Sequence, residues 1–201
     1  MSAPRKPPAN LYQYDPLDRL ISAHSIQRFY NSTRIATEIQ GDRKTCFFEH
    51  KVMPLAELQP GDAVTLLATD LQKTVLHSIS HALLYQQIYC PYGHRHPTQN
   101  GLPSLLGFNG ERSDSLTGHY LLGQGHRAYN PVLMRFNSPD SLSPFGEGGF
   151  NAYAYCENDP INYADPSGKA KLFFLARRIF NQSNVSGALS RVKKSLGSVK
   201  K

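Results

Sequence analysis

Tryptophan is absent from the 201 residues, and cysteine occurs only three times. Cys46, Cys90 and Cys156 are far apart and odd in number, which excludes a disulfide framework and any recognisable metal-ligand spacing. Reduced thiols are expected. No apolar run approaches the roughly 18 residues that a membrane-crossing helix needs. The opening residues, MSAPRKPPANLYQYDP, lack the apolar centre of a secretory signal. A cytoplasmic location in the producing cell is expected, with any export by a route that reads no signal peptide.

Acidic residues are also missing from one region. No Asp or Glu follows Asp165, and residues 169–201 carry nine Lys and Arg. All 15 acids precede that stretch, against 13 of the 22 bases, so the body is near neutral and the tail alone is basic. This asymmetry places a boundary near residue 168.

Glycine (15), proline (14) and tyrosine (11) are plentiful. That mixture suits short strands cut by many turns. In STRIATEIQG, Ile35, Thr37 and Ile39 alternate with Arg34, Ala36 and Glu38, the period of a half-buried strand. Breaks recur at strand-turn-strand intervals from Leu11 onward. The expectation is a mainly β fold, an antiparallel meander of hairpins. Residues 1–10 read as a disordered leader. Leu172, Leu175, Ala176 and Ile179, then Val185, Leu189, Val192, Leu196 and Val199, fall at helical spacing and predict two short amphipathic helices in the tail.

The segment YQYDPLDRLIS (Tyr12 to Ser22) resembles the tyrosine-aspartate repeat of Rhs/YD-repeat proteins, with Asp18 in place of the usual glycine. From PYGHR through LLGFNGERSDSLTGHY and RFNSPDSLSPFGEGGFNAYAYCENDPINYADPSG, the chain resembles the Rhs repeat-associated core domain. The resemblance is to a short member, similar to the C-terminal part of bacterial toxin-complex C components. It implies degenerate repeats over 11–90, the core domain over 91–168, and a variable tail over 169–201 in the toxin position. It also implies a β-shell that spirals around a toxin, and a structural role in toxin encapsulation or delivery. A chain this short supplies only part of such a shell, so a larger YD-repeat or toxin-complex shell protein is the expected partner, and a specialised secretion or toxin-complex route the expected export.

The same resemblance implies an aspartyl autoprotease that cuts just after a P-x-x-x-x-D-P-x-G-L motif. Pro160, Asp165, Pro166 and Gly168 match it in order, and Lys169 stands where the family has leucine. Asp140 matches the second catalytic aspartate, and Arg135 an arginine that orients it. The chemistry asks for such a pair: two carboxylates sharing one proton can activate water and protonate the leaving group. Taken as residues alone, Asp140 and Asp165 read more readily as turn formers. The hairpin between them, FGEGGFNAYAYC, would bring them together. Lys169 in an apolar pocket would carry a desolvation cost of several kcal/mol. Asp159 reads as a turn residue.

Other signals are weaker. His77 with His81, and His94 with His96, lack a further ligand at zinc spacing, so no metal or cofactor is expected. The glycine-rich GQGHRAY (Gly123 to Tyr129) lacks the lysine and context of a phosphate loop. Cys156, in the strand-like YAYC, reads as a buried thiol. Tyr153 with Tyr155, and Phe108 near Tyr120, read as packing partners. Residues 169–201 contain no His, Cys, Asp or Glu, which excludes an enzymatic toxin there. A basic amphipathic tail could lie on anionic membrane as a small membrane-active effector. Nucleic acid is disfavoured, because residues 181–201 hold no aromatics to stack on bases.

Overall fold

The computed structural model describes residues 12–59, 61, 64–95 and 104–173. The expected leader over 1–10 and the helical stripes beyond residue 173 lie outside this range. The architecture is mainly β. Nine antiparallel strands form one meander in which each strand pairs with the next: β1 (Gln13–Tyr14), β2 (Leu20–Ala23), β3 (Ile26–Asn31), β4 (Arg34–Gln40), β5 (Arg43–His50), β6 (Met53–Leu58), β7 (Thr65–Thr69), β8 (Val75–Ser80) and β9 (Leu83–Gln86). A three-stranded sheet follows, of β10 (Tyr120–Leu121), β11 (Arg127–Asn130) and β12 (Arg135–Phe136), then a pair of β13 (Tyr163–Ala164) and β14 (Leu172–Phe173). Leu172, expected in a helix, belongs to a strand, because its backbone pairs with Ala164. Among the described residues no helix is long and apolar enough to cross a membrane.

The expected strand over Ile35 to Ile39 is present as β4, but its faces are not those of a simple alternation. Thr37 pairs with Phe29 and Ile35 with Tyr30, so Ala36 is an extra residue in a β-bulge. The bulge turns Ile35 into the core of Phe47, Leu67, Val75 and Leu106. The buried residue on the rest of the strand is Glu38. Similar bulges interrupt β5–β6 and β7–β8, near the turn in each case.

The inner face of the meander carries charge as well as apolar side chains. Arg28 and Arg112 both reach Glu38, at 3.4 and 3.2 Å. Glu57, 1% exposed, accepts the Ser104 hydroxyl at 2.9 Å and the amides of Leu105 and Leu106 at about 3.0 Å. Burial raises its pKa against the pull of those donors. The outer face is apolar and open: Phe48, Ala56, Leu66, Ile79 and Leu84 stand opposite one another across five strands, and all but Ala56 are about half exposed.

One loop design recurs at strand ends. Asp15 accepts the Leu17 and Arg19 amides and binds the Arg19 guanidinium at 2.6 Å. Asp70 closes the turn before β8 by accepting the Thr74 amide, and Asn130 accepts the Val132 and Leu133 amides after β11. Asp18, Lys73 and Met134 take left-handed backbone at the last turn position, φ 58°, 72° and 59°. That conformation costs most residues about 1–2 kcal/mol.

Two substitutions test this scheme by urea denaturation. Glu57→Ala strips three donors of their acceptor and is expected to cost about 3 kcal/mol. Met134→Gly, at an exposed left-handed position, is expected to stabilise by about 0.5–1 kcal/mol.

Candidate active site

The second core builds the floor of the site. Tyr120, Tyr129 and Phe136 are cross-strand partners on β10, β11 and β12. Tyr155 stacks on Tyr129 with ring centroids 4.0 Å apart, and its hydroxyl accepts the Asn109 amide at 2.8 Å. Burial raises the pKa of both tyrosines, so they are neutral walls rather than acids or bases. Phe108 packs beside Tyr120 at 5.9 Å, as expected; Tyr153 instead lies exposed while Tyr155 is buried.

Residues alternate along β11, so Arg127 shares the buried face with Tyr129. Its guanidinium lies 3.6 Å from the Phe136 ring centroid. Nη2 binds Asp140 Oδ2 at 2.9 Å and Asp165 Oδ2 at 3.5 Å. Nε donates to the Gly168 carbonyl, and Nη1 to the Ala152 carbonyl at 3.4 Å. One arginine therefore joins both expected aspartates and the end of the Asp-Pro-Ser-Gly segment. The aromatic floor excludes water on one side, and burial lowers the arginine's pKa against the pull of the two carboxylates.

Arg135, expected to orient the dyad, is not in this cluster. Phe136 takes the buried face of β12, and alternation turns Arg135 outward, where it is exposed. Nor does a hairpin join the aspartates. Residues 141–151 run as turns, with Phe145 and Phe150 almost fully exposed, and the chain returns to lay the Ala152 carbonyl on the Asp140 amide at 2.8 Å. Sequence reasoning missed Arg127, although RAYN carried a usable signal: an arginine two residues from a tyrosine in a strand pattern shares its face.

Each aspartate also shapes its own turn. Asp140 Oδ1 accepts the Leu142 amide at 2.9 Å. Asp165 Oδ1 accepts the Ser167 amide at 3.2 Å, the Ser167 hydroxyl at 2.9 Å and the Lys169 amide at 3.2 Å. The turn and arginine roles use different oxygens, so they do not compete. Burial is the largest influence on Asp165 and raises its pKa. Pro160 is buried and Pro166 exposed; the Pro166 carbonyl accepts the Gly123 amide at 3.0 Å. Gly123 has φ +62°, and a Cβ there would overlap the Ser167 carbonyl. Gly168 is buried with φ +66°. Lys169 is exposed, so the expected desolvation cost does not arise in this arrangement. Asp159 accepts the Asn162 amide at 3.2 Å, a turn contact.

A cavity of about 420 Å³ opens beside this segment, with Arg34, Glu111, Leu121, Ser167, Lys169 and Leu172 among its lining. Cys156 is buried, in a tight turn rather than a strand, and burial pushes its thiol up to about 12, where it is inert. His77 lies on β8 and His81 in the turn that follows. Among the described residues no group of three or more His, Cys, Asp or Glu could hold a metal ion.

The chain matches a crystal structure of TcdB2-TccC3-TEV with TM-score 0.51 and 18% identity, over 78% of its own length. A Photorhabdus luminescens Tc holotoxin pore, carrying an aspartate-to-alanine mutation in TccC3, matches at TM-score 0.51 and 18% identity over 83%. The chain shares its fold with Tc toxin chains. It spans 9% of the length of either one. No family model matches the sequence, and no curated protein does.

Three variants separate the roles of these residues. Arg127→Met leaves two carboxylates without their cation and is expected to cost about 3–5 kcal/mol, while Arg135→Met changes stability by no more than about 0.5 kcal/mol. The third concerns pH. Asp165 has a raised pKa in the fold, so the stability it contributes is complete below the ordinary carboxylate value, about 4, and is lost as pH rises through the raised one. The stability of the natural chain relative to Asp165→Asn should therefore fall as pH rises above about 4; a rise would contradict the assignment.

Proposed function

We propose that this chain forms part of a toxin-encapsulating β-shell, as the segment where the shell ends and a C-terminal segment begins. The observation that carries this is the Arg127 cluster, which fastens the Asp165–Gly168 segment to the body of the fold. The similarity to Tc toxin chains supports it, as does the open apolar outer face, the kind of surface a larger assembly covers. A larger shell protein is the natural partner. The third expectation, a membrane-active tail over 169–201, falls on residues that lie outside the described range beyond residue 173.

A second reading is favoured by the convergence of Asp140 and Asp165 on one nitrogen: the chain cuts itself after Lys169. Burial keeps a proton on Asp165 at higher pH than on a free carboxylate, and that carboxyl lies against the amides of Lys169 and Ala170. Asp140 takes a proton from water as the oxygen attacks the Lys169 carbonyl carbon. Asp165 then gives its proton to the Ala170 nitrogen as the carbon–nitrogen bond breaks. Arg127, bonded to the preceding carbonyl, holds the segment in place and pairs with Asp140.

Intact-mass measurement of the purified chain distinguishes the two readings. Self-cleavage yields a product ending at Lys169, and Asp140→Asn should slow its formation at least about 100-fold. A chain that stays whole over days, unchanged by Lys169→Leu, leaves the shell role and removes the protease. For the shell role, coexpression with a YD-repeat shell protein should give one co-purifying complex; a chain that stays monomeric beside it would count against that role.

A further inference from the structure

We propose that the Cys156–Asn158 turn and the edge of β13 form a strand-addition subsite that reads residues 170–173, with Glu157 selecting a cation at position 171. The rate consequence rests on the self-cleavage reading; the docking does not. Lys171 is the second residue beyond the expected cut. Its ammonium pairs with the Glu157 carboxylate and stands 4.7 Å from the centre of the Tyr163 ring. The backbone of β14 pairs antiparallel with β13, Leu172 opposite Ala164 and Phe173 opposite Tyr163. Adjacent strand residues point to opposite faces. Accordingly Lys171 faces the carboxylate and ring, while Leu172 lines the 420 Å³ cavity. Backbone pairing with alternate side chains read on either side is how added strands are recognised.

The element that supplies Glu157 is built at a cost. Cys156, Glu157 and Asn158 are three successive non-glycine residues with left-handed backbone, φ 51°, 51° and 68°. The turn is over-determined by its surroundings. Cys156 is buried, the Asp159 amide donates to the Cys156 carbonyl at 3.0 Å, and the Tyr92 hydroxyl donates to the Asn158 carbonyl at 3.2 Å. Its reversal leaves the Glu157 side chain more than half exposed beside the incoming strand. A segment held here and at Asp165 is fixed on both sides of the Lys169–Ala170 bond, the positioning that peptide hydrolysis requires.

The test uses three full-length variants, Glu157→Lys, Lys171→Glu and the double exchange. Hydrogen exchange of residues 170–173, followed by mass spectrometry in uncut chain, reports docking. Both single variants should lose protection there and the double exchange should regain it. Where the natural chain cuts itself, each single variant should be slower by about threefold to fivefold, the scale of a partly exposed ion pair, with the double exchange within twofold of natural. A natural chain that never cuts removes the self-cleavage reading and leaves the exchange result to decide the subsite. Single variants with unchanged protection, or a double exchange as unprotected as the singles, would overturn it.

Discussion

Everything at the C-terminal end of this fold depends on the guanidinium of Arg127. It sits on the Phe136 ring and reaches two carboxylates and two backbone carbonyls from three separate segments. A cation in such a place is tolerable only because it is fully engaged. Conversely, two carboxylates this near each other, Asp165 buried and Asp140 nearly so, are tolerable only because the cation lies between them. Neither half is stable without the other, which ties the order of the Asp-Pro-Ser-Gly segment to the packing of β11. Glycine at 123 completes the arrangement, since any side chain there would collide with the segment's backbone.

The same principle runs through the meander. Its inner face buries Glu38 and Glu57, and each is satisfied by groups from the segment that covers the sheet: Arg112 for the first, Ser104 and the amides of Leu105 and Leu106 for the second. These contacts fix where the covering segment lies more sharply than apolar packing alone, because a displaced donor would leave a buried carboxylate exposed to its full desolvation cost. Further apolar side chains stand on the outer face, where the row from Phe48 to Leu84 is half open. The sheet is thus apolar on both faces, with buried carboxylates set among the inner apolar side chains.

Much of this could be read from residues, and some could not. Turn chemistry and composition were enough for a mainly β meander, and Asp159 behaves as its turn sequence implies. The alternation in β4 located a strand but misjudged its faces, because a one-residue bulge at Ala36 is invisible to a period-2 pattern. The motif pointed to Asp140, Asp165 and Arg135; in the fold both aspartates meet Arg127, eight residues before Arg135. Arg135 fits the motif, but Phe136 takes the buried face of β12, and the arginine on the face of Tyr129 is Arg127, as the spacing in RAYN allows. Lys169 also changed meaning. Its charge looked like an obstacle in a buried pocket, whereas the side chain is exposed and its amide is what the site holds.

The most direct test of the Arg127 cluster is the hydrogen-exchange rate of its Nε–H, observed by nitrogen-15 NMR of the whole protein. A proton buried against the Gly168 carbonyl should exchange far more slowly than that of an exposed arginine such as Arg135, and should lose this protection when Asp140 and Asp165 are both changed to asparagine. An Arg127 Nε–H that exchanges as fast as Arg135 in the natural chain would contradict the central claim, that one arginine holds both carboxylates and the end of the segment together.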